Sequence, residues 1–302
     1  MVRKYFGILA LVMLSPLLKA QSTADSVDFR KLLNGLGSRF GQALVRRDLS
    51  GVMTIYAPDA VRMPEFHLAC RGKEAVGRYW REWMDSANLV NYREDIDEII
   101  GLKNWVVERG TFLAILAKGK GYNYQGKYLR VWRILSSEKL ELVSEITGSS
   151  GFVDRSDLPL SALTATPLTD IPSVPASPVL TEVTQLSARV AELVKKGDGP
   201  AFAPFYTEDA VYMPYYMPPL LGKAAINEYY IGHESPNAGI DSVSIGITRL
   251  IDLGGLILTD GLYAVHGSVK SGGWLVTGKI LSIWKRNEQG KLLEYRQMTV
   301  HD

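Results

Sequence analysis

The sequence is poor in the residues that carry disulfide, redox or metal chemistry. Its 302 residues include one cysteine, Cys70, and four histidines. A single cysteine cannot form a disulfide within the chain, so Cys70 is expected to be a small core residue. The histidines are scattered, without the paired spacing of a metal site, and Gly-rich phosphate loops are absent too. We therefore expect no cofactor and no metal.

The chain also lacks a strong excess of charge. Its formal net charge is +2, and it falls to −1 when Arg3, Lys4 and Lys19 of the N-terminal segment, which contains no acid, are left out. A protein that binds nucleic acid needs a basic surface to contact phosphates. We expect no nucleic-acid partner.

Long hydrophobic runs are missing as well. Tyr5–Leu18 is the apolar stretch at the N-terminus, and it is interrupted by Ser15-Pro16. A membrane-spanning helix needs about 20 apolar residues. A basic start, a short apolar run and a small residue at Ala20 are typical of a signal peptide. We predict a signal over residues 1–20 and an exported protein, periplasmic or extracellular, without stable membrane insertion; an uncleaved anchor is the alternative.

What the sequence does contain is an internal duplication. The segment YAPDAVRMP at Tyr56–Pro64 returns as YTEDAVYMP at Tyr206–Pro214, with six of nine positions identical. Further along, GKEAV returns as GKAAI and GKYLRVWR as GKILSIWK, in the same order. The spacing of about 150 residues is the size of a whole domain rather than of a solenoid repeat.

The duplication predicts two domains joined by a linker. Residues 154–178 contain five prolines and many Ser and Thr, a composition typical of a semi-extended linker. Domain one then covers residues 22–153 and domain two residues 179–302. A flexible linker of this length holds the domains close together, so we predict an intramolecular pseudo-dimer.

Each copy carries helical patterns first and strand patterns afterwards. In copy one, apolar residues recur at helical spacing over residues 26–46 and 73–85, and alternation typical of strands follows from residue 92. Helices followed by antiparallel strands predict an α+β fold, with N-terminal helices packed on a curved, mostly antiparallel sheet. Such a cone leaves a cavity that suits a small ligand.

At the repeated motifs the chain resembles the SnoaL-like branch of the nuclear transport factor 2-like superfamily. That superfamily includes ketosteroid isomerase, scytalone dehydratase and polyketide cyclases, and the resemblance covers nearly all of both domains. It implies two tandem cone-shaped domains. It does not select a function, because isomerases, dehydratases, cyclases, hydrolases and non-catalytic modules share the scaffold.

The copies differ at three positions that are candidates for chemistry. Glu108 is replaced by Thr259, Arg130 by Ser282 and Glu145 by Gln297. In relatives, the last-strand position of Glu145 is often an acid facing the cavity. A carboxylate in an apolar cone can move protons near neutral pH, and an arginine can orient it. We predict Glu145, Glu108 and Arg130 as the catalytic set; a buried ion pair, or acids on the solvent face of the sheet, is the alternative.

Aromatic residues in the segments that form the cones are candidate ligand contacts, although most are expected to be core. The predicted contacts are Tyr56, Trp80, Trp132, Tyr212 and Tyr216, together with His266.

Three functions stay open at this point. The first is a cofactor-free isomerase or lyase, related to SnoaL or ketosteroid isomerase, that acts on a small apolar carbonyl compound through domain one. The second is a non-catalytic protein that binds a small apolar ligand. The third is an interaction or dimerisation module whose cavities are filled by side chains.

Overall fold

The computed structural model describes residues 28–117, 122–158, 172–234, 239–270 and 272–302. The predicted signal, residues 1–20, lies outside them, as does the stretch 159–171 of the predicted linker. Each half of the chain forms a six-stranded sheet covered by helices, which confirms the prediction of two tandem α+β domains.

Domain one contains three helices and six strands. The helices are α1 (Phe29–Val45), α2 (Leu49–Val52) and α3 (Lys73–Ala87). The strands are β1 (Tyr56–Pro64), β2 (Cys70–Arg71), β3 (Leu89–Gly101), β4 (Trp105–Leu116), β5 (Tyr122–Ser136) and β6 (Lys139–Ser149). The sheet order is β2-β1-β6-β5-β4-β3, with β1 parallel to β6 and the other neighbours antiparallel.

Domain two repeats this plan. Its helices are α4 (Pro178–Lys196) and α5 (Gly222–His233), with a 3-10 helix at Gly199–Phe205. Its strands are β7 (Tyr206–Met213), β8 (Leu220–Leu221), β9 (Ile240–Asp252), β10 (Leu256–Val269), β11 (Gly272–Arg286) and β12 (Leu292–His301). The order β8-β7-β12-β11-β10-β9 is that of domain one.

Local sequence signals explain where the long helices begin and end. The Asp28 carboxylate caps α1 by accepting from the Lys31 backbone N–H at 3.1 Å. Ser177 caps α4 in the same way, and Gly197 at φ 62° ends it. Gly72 and Gly222, at φ 80° and 82°, begin α3 and α5, which explains why both copies keep the Gly-Lys motif.

The two faces of each sheet have different neighbours. One face is covered by the helices of its own domain, and the other packs against the sheet of the second domain. Because side chains alternate between faces, each central strand contributes both to a cone and to the domain interface. The apolar interface cluster is Val61, Met63, Val107, Leu129, Val131 and Ile146 from domain one with Val211, Met213, Leu258, Leu281, Ile283 and Met298 from domain two.

Two buried lysines occupy equivalent places at this interface. The Lys127 ammonium donates to the Ser149 carbonyl of its own domain and to the Met217 carbonyl of domain two. Lys279 donates to the carbonyls of His301 and, across the interface, His67. The matching contacts give the two domains a pseudo-twofold relation.

Candidate functional site

A row of four residues crosses the cone face of the domain one sheet. Strand register places Glu108 opposite Arg130, Arg130 opposite Glu145, and Glu145 opposite Arg62. Directly opposed residues share a face, so the three predicted catalytic residues lie on the helix side of the sheet. All four are nearly inaccessible to solvent.

The charges in this row neutralise one another. The Glu145 carboxylate accepts from Arg62, from Arg130 at 2.8 Å and from the Tyr56 hydroxyl at 3.0 Å. Arg130 also donates two hydrogen bonds to Glu94, at 2.6 and 2.8 Å. Burial opposes ionisation of Glu94, but the Arg130 guanidinium outweighs it and lowers the pKa of that carboxyl. The result is a buried network of two arginines, Arg62 and Arg130, and two carboxylates, Glu94 and Glu145.

The remaining candidates of domain one are also engaged within the protein. The Trp80 indole N–H donates to the Tyr56 hydroxyl at 2.9 Å. Glu108 accepts from Tyr128 at 2.8 Å and from the Trp132 indole at 2.7 Å. Burial raises the pKa of Glu108. These aromatic groups therefore support the buried carboxyls through hydrogen bonds.

Little room is left inside the first cone. The cavity beside Arg62 has a volume of about 30 Å³, the space of about one water molecule. A groove of about 530 Å³ runs between α1 and β3 and includes Glu94 and Glu108 in its lining. Both oxygens of each of these carboxyls already accept hydrogen bonds from domain one.

Domain two replaces the charged row by neutral side chains. The equivalent positions of Arg62, Glu108, Arg130 and Glu145 hold Tyr212, Thr259, Ser282 and Gln297. Large neighbours become smaller at three more interior positions, where Phe40 becomes Val190, Tyr92 becomes Val243 and Tyr124 becomes Val276, and the charged Glu94 becomes the apolar Ile245. The lost volume leaves a cavity of about 380 Å³ in the second cone.

The wall of this cavity is mainly aromatic and aliphatic. Tyr230 stacks between Phe202 and Tyr212, with ring centroids 4.0 and 5.7 Å away. Tyr229 stacks on His233 near the end of α5. Other lining residues are Val190, Val194, Tyr215, Ile240, Val243, Ile245, Tyr263, Val265, Trp274, Val276 and Ile280.

Its polar groups are few and largely uncharged. The Tyr263 hydroxyl lies 2.7 Å from His301 Nδ1, and burial, assisted by Lys279, lowers the pKa of His301 to about 4. Tyr212 pairs with the Thr299 hydroxyl at 3.1 Å. Burial raises the pKa of Glu234 to about 7. No lysine or arginine is present among the described lining residues, so the cavity favours a neutral, mostly apolar molecule.

Two predicted ligand contacts lie outside this cavity. Tyr216, at φ 54°, turns toward domain one and packs against Phe66 and Phe152, with centroids 6.0 and 5.6 Å away. His266 is exposed on β10, because its neighbour Val265 takes the inward position. Of the predicted contacts, Tyr212 lines the cavity of domain two.

Sequence comparison of the copies missed two site residues, Arg62 and Glu294. Arg62 is replaced by Tyr212 inside the motif that identified the repeat, and that difference was the available signal. Glu294 is a buried acid at the position of Leu142. Its signal was the change from Leu-Glu-Leu at 140–142 to Leu-Leu-Glu at 292–294, which moves an acid to the other face of the strand.

Within the described ranges, no group of His, Cys, Asp and Glu side chains has an arrangement that would hold a metal ion. Nor does any helix in that part of the chain have the length and apolar character needed to cross a membrane.

Comparisons with known proteins agree with the resemblance of the motifs. Residues 38–140, within domain one, match the model of the SnoaL-like domain, and domain two repeats the strand order of domain one. No curated protein matches the chain.

Three solved structures illustrate the similarity. A ketosteroid isomerase-like protein from Erwinia carotovora atroseptica is 16% identical, covers 39% of this chain and 94% of its own, and has a TM-score of 0.36. A protein from Catenulispora acidiphila is 22% identical, with 41% and 91% covered and a TM-score of 0.35. ActVI-ORFA from Streptomyces coelicolor is 16% identical, with 42% and 98% covered and a TM-score of 0.37.

Proposed function

We propose that the protein binds a small, neutral, mostly apolar molecule in the cone of domain two, and that domain one supports this site as a closed partner. The observation that carries the proposal is the contrast between the cones. Phe40, Tyr92 and Tyr124 of domain one are valines in domain two, the charged row is replaced by neutral side chains, and the second cone contains a cavity of about 380 Å³. That volume lies in the usual range of small-molecule sites.

Acid/base catalysis in domain one has weaker support and stays a prediction. A general acid or base must reach the substrate, directly or through one water. The Glu145 carboxylate instead contacts Arg62, Arg130 and Tyr56, beside a cavity of about 30 Å³. Glu108 borders the groove of about 530 Å³, but both of its oxygens accept hydrogen bonds from Tyr128 and Trp132. Domain one therefore fits the expectation for a dimerisation module better than that for an enzyme, whereas domain two fits the expectation for a binding protein.

Filling the second cone tests the proposal. Titration with the fluorescent hydrocarbon 2-isopropenylnaphthalene should show saturable binding to the wild-type protein. Val190→Phe and Val243→Tyr, which copy the residues of domain one, should abolish it because they occupy the cavity. Val269→Phe places a similar ring on an exposed position and should leave binding unchanged. Equal binding by all four proteins would place the probe elsewhere and reject the proposal.

We also propose that the protein works outside the cytoplasm, on the basis of the signal-like segment at residues 1–20. The native protein should then begin near Gln21 in N-terminal mass analysis. An intact Met1 on a membrane-bound form would contradict this.

A further inference from the structure

A second, smaller cavity adjoins the main one in domain two. Its volume is about 40 Å³, and it lies between α4 and strands β9 to β12. The two cavities share four wall residues, which are Val190, Ile245, Ile280 and Gln297. A ligand in the main cavity therefore lies next to the small one.

Glu294 lines the small cavity and is 5% exposed. Its Oε1 accepts from the Ser282 hydroxyl at 3.1 Å and from the Gln297 amide at 3.0 Å. Its Oε2 is buried and has no hydrogen-bond partner in the structure. Burial raises the pKa of Glu294 well above its ordinary value and so favours the neutral carboxyl over the carboxylate.

The contacts also locate the proton. Oε1 receives two donors and so acts as the acceptor end of the carboxyl. In the neutral carboxyl the proton then belongs to Oε2, which has no hydrogen-bond partner among the residues that the structure describes. A buried donor without an acceptor is costly, and native proteins rarely keep one.

We propose that Glu294 donates a hydrogen bond from Oε2 to an oxygen of the bound molecule, and that the small cavity is a subsite for a neutral carbonyl group. This inference rests on the proposed binding function and specifies its ligand as an apolar compound with a ketone or similar acceptor at its inner end. The chain's own first copy supports a specific role, because the equivalent residue of domain one is Leu142, which has no hydrogen-bonding side chain.

Gln297 connects the subsite to the main cavity. Its amide oxygen accepts from the Tyr206 hydroxyl at 2.7 Å, which leaves its N–H groups to hold Oε1 of Glu294. The Tyr230 hydroxyl in turn lies 2.8 Å from the Tyr206 hydroxyl. This chain of hydrogen bonds fixes the orientation of the carboxyl, so that its O–H has a defined direction before a ligand arrives.

A matched pair of probes tests the subsite in the full-length protein. 2-Acetylnaphthalene has the shape of 2-isopropenylnaphthalene but carries a carbonyl oxygen in place of a methylene group. The wild-type protein should bind the ketone roughly 3- to 10-fold more tightly than the hydrocarbon, the range of one net hydrogen bond. Glu294→Leu, which copies domain one, should remove this preference. Glu294→Gln should retain part of it, because an amide also donates.

The possible negative results distinguish a failure of the proposed function from a failure of the subsite. If neither probe binds the wild type, the proposed function fails. If both bind with equal affinity in the wild type, Glu294 holds only water and the subsite is rejected. If the ketone preference survives in Glu294→Leu, another group makes the contact and the inference is also rejected.

An infrared measurement on the wild-type protein does not depend on the leucine variant folding. The carbonyl stretch of bound, ¹³C-labelled 2-acetylnaphthalene should shift to lower wavenumber than in hexane, because a carboxylic acid donates to it. The shift should be smaller in Glu294→Gln, whose amide is a weaker donor. A stretch at the hexane position in the wild type would overturn the assignment.

Discussion

Each cone is shaped by side chains at a few interior positions that the backbone places identically in both domains. Arg130 and Ser282 occupy the same place on β5 and β11, facing Glu145 and Gln297. A buried arginine needs carboxylates around it, so the arginine of domain one brings Glu94 and Glu145 with it. Serine needs neither, and the space becomes available to a ligand.

The ion network of domain one should contribute strongly to stability. Glu94→Gln should lower the free energy of unfolding by about 3 kcal/mol, because it leaves a buried guanidinium with one fewer carboxylate. Chemical denaturation at pH 7 measures the loss. Glu74→Gln is the matched control, since Glu74 pairs with Arg78 on the surface of α3 with 91% of its side chain exposed, and should change little.

The same variant should show a defined pH dependence. Arg130 lowers the pKa of Glu94 below its ordinary value of 4.5 in the folded protein. The stabilisation is therefore present above pH 4.5 and is lost as the pH falls through the folded pKa. The difference in the free energy of unfolding between wild type and Glu94→Gln should therefore become smaller in acid. A difference that stays constant from pH 7 to pH 3 would show that the charge of Glu94 is not its source.

At this scale the sequence predicted part of the site. Comparison of the copies identified the replacements at Glu108, Arg130 and Glu145, and register shows that these side chains share one face. It could not predict that their cone is filled, because cavity volume depends on the sum of many side chains, including Phe40 and Tyr92. The proposed ligand cavity therefore lies in the copy that lost the charges.

At the scale of elements, glycines opposite aromatic residues shape both sheets. Phe112 lies opposite Gly126, and Tyr263 lies opposite Gly278. A Cβ on Gly126 would lie 2.2 Å from the Phe112 ring, and one on Gly278 would lie 2.4 Å from the Tyr263 ring. The rings therefore lie across the neighbouring strand, and in domain two the ring of Tyr263 forms part of the cavity wall.

Gly278→Ala should disturb both the sheet and the site. The new methyl group would meet the Val300 carbonyl at 2.2 Å as well as Tyr263, so the ring must move into the cavity. We expect a loss of roughly 1–3 kcal/mol in stability and weaker binding of 2-isopropenylnaphthalene. Gly273→Ala, on the same strand, places its methyl 3.7 Å from its nearest neighbour and should leave both quantities unchanged. Identical thermal melts and affinities for the two variants would contradict this account.

Element order was the most predictable feature, because helix and strand periodicities are local. The predicted first helix, 26–46, is observed as Phe29–Val45, and the helix at 73–85 as Lys73–Ala87. The parallel pairing of β1 with β6 was not predicted, since it joins segments far apart in the sequence. That pairing brings Arg62 beside Glu145. The sequence analysis therefore missed Arg62 for the same reason that it missed the pairing of β1 with β6.

At the scale of the whole molecule, the interface carries charges that are inverted between the copies. Glu98 pairs with Arg109 in domain one, whereas the equivalent residues of domain two are Arg249 and Asp260. Across the interface Glu98 accepts two hydrogen bonds from Arg296, at 2.6 and 2.7 Å. The residue of domain one equivalent to Arg296 is Ser144, which donates to Asp260 at 2.6 Å.

This inversion favours pairing between unlike domains. In a pair of two first domains, Glu98 would face Ser144 and lose its arginine. In a pair of two second domains, Arg249 would face Arg296 and repel it. In a pair of one first and one second domain, Glu98 contacts Arg296 and Ser144 contacts Asp260. The interface therefore disfavours pairs of like domains as well as stabilising the pair of unlike domains.

Cleavage of the linker tests this pairing directly. With a protease site inserted between residues 158 and 172, the wild-type halves should stay associated as a 1:1 complex in analytical ultracentrifugation.

Glu98→Arg should weaken the complex by roughly tenfold or more, because three guanidinium groups would then meet at the interface. Adding Arg296→Glu should restore part of the affinity by reversing the pair. Glu74→Arg changes the net charge equally on an exposed helix and should have no effect. Halves that separate in the wild type, or a Glu98→Arg variant that stays as tightly paired as Glu74→Arg, would show that the charge pattern does not hold the domains together.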